Sequence, residues 1–200
     1  MAYLYLIRHP LTRPDPEAPA SAWHLTNEGH AQVRALTADS LWRAVTVIYT
    51  SREVKTTVVG EAIRAAHGIP HHPIAELGEA RRDAWLGADQ FQAAQRDFFA
   101  HPDRPAAPDW ETAQAAQGRF VAALDALLNR HPPGEALAVV SHATVLTLYV
   151  AHLRGEPPSY DTWQQLGFMD VMAVDRATRQ PDTPFLAPPY PGLPRGEPQP

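Results

Sequence analysis

Short apolar segments that favour β-strands alternate with segments of helical periodicity along this 200-residue chain. Tyr3–Arg8 and Val45–Thr50 combine aromatic and β-branched residues, and residues 137–142 and 168–175 are similar apolar runs. Residues 74–77 are expected to add a short strand. Parallel strands need crossover connections, which are usually helices. The alternation therefore predicts an α/β fold, with one domain whose mainly parallel sheet is flanked by helices on both faces.

Helices are predicted between these strands. They cover residues 26–36, residues 52–66, the stretches on both sides of a proline break at residues 102–108, and residues 145–153. Thr26 is the expected N-cap of the first helix, because a hydroxyl there accepts a hydrogen bond from the first turn. Gly68 is expected to end the second helix, since glycine readily adopts the left-handed conformation at which many helices stop.

The length and hydrophobic content set the domain organisation. A chain of 200 residues with 44% hydrophobic content buries one sizeable core, so a single domain is expected over residues 1–178. Residues 179–200 are rich in proline and hold little that could pack, so we expect an extended or disordered tail. The alternative is an arm that docks across the interface of a homodimer.

The charge and residue usage exclude several classes of function. A formal net charge of -5 provides no basic surface of the kind that binds nucleic acid or an anionic membrane. The absence of cysteine rules out disulfides, thiolate catalysis and thiolate metal sites. The apolar run at residues 2–7 is too short for a signal peptide, and no stretch approaches the roughly 20 apolar residues of a membrane span. A cytoplasmic protein is therefore expected.

Two histidines follow directly after predicted buried strands. His9 ends the first strand and His142 ends the fourth, and ligands bind at the carboxyl ends of strands in parallel sheets. Arg8, Arg52 and Lys55 lie near the same edge. Either histidine taken alone is more often a structural core residue. Together with these cations, the pair favours a pocket for a phosphate dianion.

Five segments, in the same order, resemble the motifs of a known family. LIRHPLT resembles LIRHGET, and LTNEGHAQVRAL resembles LTxxGxxQAxxL. VIYTSREVKTTVVGEAI resembles IYSSxLxRAxQTAxxI, LGEARRDAWLG resembles LxExxxGxWEG, and LAVVSHATVL resembles vVSHGGvi. Glu111, Thr112 and Arg119 resemble the Glu-Ser and Arg that precede the last motif. These motifs belong to the histidine phosphatase (phosphoglycerate mutase-like) superfamily, and the chain resembles it from Tyr3 to about Val174.

The resemblance implies a mechanism without metal or cofactor. His9 would attack phosphorus in line and form a phosphohistidine that water then hydrolyses. Arg8, His142 and the residue at position 55 would bind the non-bridging phosphoryl oxygens. Glu79 would protonate the leaving alkoxide and later activate water. Glu76 is the other candidate for that role, but the L-x-E spacing favours Glu79.

The sequence departs from the family motifs at several positions. Pro10 and Ala143 replace glycines, Lys55 replaces an arginine, and Trp85-Leu86-Gly87 lacks the glutamate of WEG. Lys55 is the only lysine beside 16 arginines, so a lysine at this motif position runs against the general residue usage of the chain. We expect its ammonium to bind phosphate as a point charge. The alternative gives this role to Arg52, one helical turn earlier, and leaves Lys55 in solvent.

The expected function is a phosphatase that hydrolyses a small phosphorylated metabolite. A phosphoglycerate-mutase-type phosphotransferase is an alternative, although the segment between Gly87 and Arg119 is short for one. Pro10 and Lys55 motivate a second alternative, a degenerate member that binds a phosphorylated ligand or a protein partner without turnover. A metal site formed by His67, His71 and His72 is less favoured than a surface loop.

Overall fold

One sheet with helices on both sides forms the core of the protein. The computed structural model describes residues 1–82 and 86–196. The strands are β1 (Tyr3–Arg8), β2 (Val45–Thr50), β3 (His71–Pro73), β4 (Ala136–Ser141) and β5 (Val171–Asp175). The helices are α1 (Asn27–Thr37), α2 (Val54–His67), α3 (Ala88–Ala100), α4 (Ala113–Leu128), α5 (Ala143–Arg154) and α6 (Tyr160–Gln165). Short 3-10 helices lie at Ala20–Ala22, Ser40–Arg43 and Ala75–Leu77.

The sheet has five strands in the order β3-β2-β4-β1-β5. β4 pairs in parallel with both β1 and β2, and β2 pairs in parallel with β3. β5 is antiparallel to β1. The prediction of a single α/β domain with a mainly parallel sheet is therefore confirmed.

Successive residues of each strand face opposite sides of the sheet, and both sides are buried. In β1, Leu4 and Leu6 pack with α3, α4 and α5 in one apolar cluster. Tyr5 and Ile7 pack with α1 and α2 in a second cluster. Because neither face meets water, the strands are apolar runs without alternation, as the sequence indicated.

The N-terminus of α1 is anchored close to the end of β1. Thr26 caps this helix as predicted, and its hydroxyl accepts the Gly29 N–H at 2.9 Å. The Thr26 N–H donates to the carbonyl oxygen of Leu11 at 3.1 Å. A Cβ on Gly29 would lie 2.2 Å from that same oxygen, so only glycine allows this approach. The chain that follows His9 is thereby held against α1.

Several predicted element boundaries are corrected by the structure. Residues 74–77 do not form a strand, because Ala75–Leu77 is a 3-10 helix and the edge strand β3 precedes it. Ile74 and Leu77 are three residues apart, a spacing that puts both on one side of a tight turn. β5 begins at Val171 rather than at residue 168. α6 was not predicted, while Gly68 ends α2 in the left-handed conformation, with φ 70°, as expected.

The proline-rich C-terminal segment packs against the domain over much of its length. The expectation that it holds little that could pack is corrected by Tyr190 and Leu193, both of which are buried in the cluster beside α1 and α2. The Tyr190 hydroxyl donates to the Met169 carbonyl at 3.1 Å. Arg195 pairs with Asp39 at 2.9 Å.

No helix in the described part of the chain is long and apolar enough to cross a membrane.

Candidate active site

The register of β1 and β4 brings His9 and His142 together. Arg8 lies opposite Ser141 in this parallel pair, so the residue after each strand reaches the same edge of the sheet. The His9 N–H donates to the Ser141 carbonyl at 2.9 Å, which fixes the two strand ends side by side. The centroids of the two imidazole rings are 5.2 Å apart. The expectation that these histidines share one pocket agrees with this geometry.

His9 is held with one ring nitrogen bonded and the other left available. Its Nδ1 lies 2.8 Å from the carbonyl oxygen of Pro10, and since a carbonyl only accepts, Nδ1 carries the proton. No hydrogen bond to Nε2 occurs within residues 1–82 and 86–196. Burial lowers the pKa of His9 well below its usual 6.5, and the neighbouring positive groups act in the same direction. The ring is therefore neutral at neutral pH, with a lone pair on Nε2.

Arg8 places a guanidinium beside His9. One of its terminal nitrogens donates to the Leu166 carbonyl, and the guanidinium carbon lies 3.9 Å from the centre of the Phe168 ring. Phe168 also stands 5.5 Å from the His9 ring. The Arg8 Nε is buried and has no hydrogen-bond partner among the described residues. A buried donor of this kind is costly unless a ligand or water satisfies it.

His142 is fully buried, and its two nitrogens have different surroundings. Nε2 lies 2.8 Å from the Ser51 hydroxyl oxygen and 3.1 Å from Oε1 of Glu53. Nδ1 is buried without a partner in the described part of the chain. Burial lowers the pKa of His142 to about 3, against the opposing influence of Glu79. This ring is also neutral at neutral pH.

Lys55 and Arg52 have different surroundings in the structure, one buried and the other exposed. Lys55 is only 4% exposed and lies on the site side of α2, where its ammonium donates to the Ala20 carbonyl at 2.6 Å and pairs with Glu53. Its positive charge contributes to the lowered pKa of both His9 and His142. Arg52 is exposed and makes no ion pair or hydrogen bond with any described residue. The position of Lys55 thus agrees with the expectation that its ammonium faces the pocket.

Glu79 joins the site from the loop after the third 3-10 helix. Its carboxylate lies 3.1 Å from a terminal nitrogen of Arg82 and accepts the Ala80 N–H at 2.9 Å. It also accepts the N–H groups of Thr144 and Val145 in the first turn of α5, each at 3.3 Å. Burial works to raise the pKa of Glu79, but Arg82 and the other donors outweigh it and lower the pKa overall. Glu79 is therefore ionised at neutral pH in this arrangement.

Arg119 fixes the loop that carries Glu79. Its guanidinium donates to the carbonyls of Glu76, Gly78 and Glu79 at 2.7, 3.1 and 3.1 Å. Glu111 holds the same guanidinium with contacts of 3.1 and 2.8 Å. The side chain of Glu76 is exposed on the surface. The structure therefore brings Glu79, and not Glu76, toward the histidines.

Sequence reasoning missed three residues that border the site: Glu53, Arg82 and Phe168. Glu53 stands where the motif IYSSxLxRAxQTAxxI has leucine, and this change from apolar to acidic was the available signal. Arg82 falls on an unspecified motif position, and Phe168 was assigned to a strand. Of the motif departures, Ala143 begins α5, Leu86 precedes α3, and Trp85 lies outside the described residues.

The remaining histidines considered for metal binding have separate partners. His67 Nε2 lies 2.8 Å from the Thr37 carbonyl, and His71 contacts Thr50 and Glu61 at 2.9 and 3.2 Å. His72 packs beside Tyr49, with ring centres 5.6 Å apart. Within the described ranges, no group of three or more potential ligands is placed to share a metal ion.

Comparison with known proteins agrees with this architecture. The chain aligns with Bacillus stearothermophilus YhfR at 24% identity, with a TM-score of 0.73, covering 92% of this chain and 96% of that one. A mycobacterial glucosyl-3-phosphoglycerate phosphatase in complex with inorganic phosphate gives 17% identity and a TM-score of 0.74, covering 92% and 96%. Phosphoserine phosphatase from Entamoeba histolytica, in complex with 3-phosphoglyceric acid, aligns at 17% identity with a TM-score of 0.71. The alignment covers 94% of this chain and 98% of that one. At identities this low, the structural similarity shows a shared fold and nothing more specific.

The family assignment comes from the sequence of the whole domain. No curated protein matches the chain. A family model, that of the histidine phosphatase superfamily (branch 1), matches residues 4–186. This match includes both strand-end histidines, the loop with Glu79, β2 to β5 and all of β1 except Tyr3. The chain therefore belongs to the histidine phosphatase superfamily.

Proposed function

We propose that the protein is a phosphatase that hydrolyses a small phosphomonoester through a phosphohistidine at His9. The observation that carries this proposal is the state of the His9 ring. Its Nδ1–H donates a hydrogen bond to the Pro10 carbonyl, and the lowered pKa of the ring keeps Nε2 unprotonated. A neutral imidazole with one nitrogen anchored is a competent nucleophile.

The groups around His9 support an anion as the ligand. Arg8 Nε and His142 Nδ1 are both buried without partners among the described residues, and both residues adjoin His9, Arg8 in the chain and His142 with its ring centre 5.2 Å away. Phosphoryl oxygens would satisfy Arg8 directly, and His142 once its Nδ1 carries a proton. Lys55 adds a second buried positive charge at the same place. Two structural neighbours are named as phosphatases of small phosphorylated metabolites, which agrees with this substrate class.

The reaction follows in two balanced steps. His9 Nε2 attacks phosphorus, the N–P bond forms, and the P–O bond to the leaving group breaks. The leaving alkoxide takes a proton from Glu79, which must itself gain that proton as substrate binds, because Arg82 otherwise keeps it ionised. In the second step Glu79, now a carboxylate, accepts a proton from water as the water oxygen attacks phosphorus and the N–P bond breaks. Inorganic phosphate and a free His9 result.

A second candidate function is a binding protein without turnover. Glu53 supports it, since its carboxylate pairs with Lys55 and contacts His142 inside the site. In that case a phosphorylated ligand would bind but no phosphohistidine would form. Pro10, next to the nucleophile, motivates the same alternative.

Trapping the phosphoenzyme distinguishes the two functions. The protein is mixed with ³²P-labelled acetyl phosphate or phosphoramidate and quenched in alkali, where phosphohistidine survives and phosphoserine does not. We expect alkali-stable label in the wild type, none in His9→Ala, and p-nitrophenyl phosphate hydrolysis that persists in chelator. Circular dichroism checks that His9→Ala is folded. Wild-type turnover in His9→Ala, or loss of activity in chelator, would contradict the mechanism, whereas phosphate binding without label supports the binding protein.

A further inference from the structure

The Glu53 carboxylate occupies contacts that suit an anion. Its Oε1 lies 3.1 Å from His142 Nε2 and accepts the Glu79 N–H at 3.1 Å, while Oε2 pairs with the Lys55 ammonium. An ammonium, an imidazole and a backbone N–H are the groups that proteins use to bind phosphoryl oxygens. The Glu53 side chain is 15% exposed, so it reaches both the site and solvent.

We propose that Glu53 is a specificity-determining residue, which competes with the phosphoryl group for Lys55 and His142 and selects against substrates that carry further negative charge. This inference rests on the proposed function, because it takes the phosphoryl group to bind beside His9. It goes further by naming the substrate class. The favoured substrates are phosphomonoesters of neutral or amine-bearing alcohols.

The charges of the site explain the competition. Lys55 is paired with Glu53, and Arg82 is paired with Glu79. Of the cations next to the histidines, Arg8 alone makes no ion pair with a described residue. Like charges a few ångströms apart repel strongly in a poorly solvated site. A phosphoryl dianion therefore binds to Lys55 only when the Glu53 side chain turns out toward solvent.

The proton on His142 leads to the same conclusion. A carboxylate oxygen 3.1 Å from Nε2 favours the tautomer with the proton on Nε2, since a ring lone pair would repel it. Nδ1 then carries a lone pair and cannot donate to a phosphoryl oxygen. When Glu53 leaves, Nε2 accepts from the Ser51 hydroxyl, 2.8 Å away, and Nδ1 becomes the donor. Displacing Glu53 thus releases both Lys55 and a His142 donor.

The selection against acidic substrates follows from the position of Glu53 next to Glu79. Glu53 accepts the backbone N–H of Glu79, the proposed proton donor to the leaving group. After it turns toward solvent to admit the phosphoryl group, the Glu53 carboxylate still lies near Glu79, on the side of the site from which the alcohol leaves. A carboxylate in the leaving alcohol adds a second repulsion there, whereas a hydroxyl does not.

Sulfate binding tests the competition directly, because sulfate stays a dianion throughout the neutral range. Calorimetric titrations compare the wild type with Glu53→Gln and Glu53→Ala, and the control is Glu61→Gln, an exposed carboxylate within α2, the helix that Glu53 directly precedes. We expect about tenfold tighter sulfate binding in both Glu53 variants. The control should match the wild type. A merely structural role of Glu53 would weaken binding, and that result, like unchanged affinity, would overturn the inference.

Two matched esters test the substrate class. Glycerol 3-phosphate and 3-phosphoglycerate differ in a hydroxymethyl group and a carboxylate. The ratio of their kcat/KM values should favour glycerol 3-phosphate in the wild type and fall about tenfold in Glu53→Gln. An unchanged ratio, in proteins that bind sulfate, overturns the role of Glu53 and leaves the proposed function standing. No sulfate binding by any of the four proteins overturns the proposed anion site together with this inference.

Discussion

The two sides of the candidate active site are built in different ways. On one side, His9 and His142 follow adjacent parallel strands, and the backbone register places both rings. These strand-end histidines are buried and neutral. On the other side, which we call the charged side, Glu53, Lys55, Glu79 and Arg82 come from the start of α2 and the loop before α3. There, position depends on ion pairs between side chains.

The two sides would therefore contribute different properties: the histidine side supplies the nucleophile, and the charged side sets the net charge around the substrate. Burial at the sheet edge keeps a lone pair on His9 without help from a carboxylate. The charged side carries two acid-base pairs that neutralise each other, so it is able to gain or lose charge when a substrate binds. Changes on the charged side should therefore alter binding, pH dependence and leaving-group selectivity, while burial, the largest cause of the lowered His9 pKa, still keeps His9 neutral.

The largest effect is expected for Glu79→Gln with substrates that have poor leaving groups. An alkyl phosphate needs a proton on its departing oxygen, so the loss should be about 100-fold or more. Hydrolysis of p-nitrophenyl phosphate should suffer less, because nitrophenolate leaves without protonation. Steady-state kinetics with both substrates give the comparison. Glu76→Gln, whose side chain is exposed three residues earlier, is the control and should change neither rate; equal losses in Glu79→Gln would remove its assignment as the acid.

A smaller effect is expected for Lys55→Ala, measured by vanadate inhibition. Loss of a buried charge-assisted contact costs on the order of 1.5 to 3 kcal/mol, so affinity should fall roughly tenfold or more. The variant also leaves the Glu53 carboxylate without its partner, which adds to the repulsion. Lys55→Arg should retain binding. Arg52→Ala is the matched control, and a large loss there with no change in Lys55→Ala would assign the phosphate contact to Arg52.

The smallest effect is expected for Arg82→Met, as a shift in a pH profile. Burial raises the pKa of Glu79 and Arg82 is the largest opposing influence, so removing Arg82 raises this pKa. As an acid Glu79 acts in its protonated form, and activity falls as pH rises through its pKa. The alkaline limb for an alkyl phosphate should therefore move to higher pH in Arg82→Met. Arg81→Met, an exposed neighbour, should leave the limb in place; a shift to lower pH would contradict the pairing.

Much of the fold could be predicted from local patterns. The four longer strands, the Thr26 cap, the Gly68 stop and the mainly parallel sheet all agree with the structure. These features depend on residues close together in the chain and on general rules for connecting strands. The short edge strand at His71–Pro73 was missed, because its pairing with β2 is decided by backbone bonds and not by an apolar pattern.

The tail shows the limit of composition as a guide. Its prolines indicated a segment with little to pack, and only the fold provides the surface that buries Tyr190 and Leu193. The Tyr5 hydroxyl donates to the carbonyl of Pro194 at 2.9 Å, although the two residues are 189 positions apart in the sequence. Contacts over such separations are not visible in any local window of sequence.

The sequence by itself determined the strand ends on which His9 and His142 stand, because side-chain period and sheet connectivity follow from nearby residues. Only the tertiary structure decided which carboxylate meets which cation. Glu53 reaches His142 across 89 positions of sequence, and Arg119 holds the Glu79 loop from a separate helix. Such pairings depend on distances of a few ångströms between side chains on different elements, and those distances exist only once both faces of the sheet are packed.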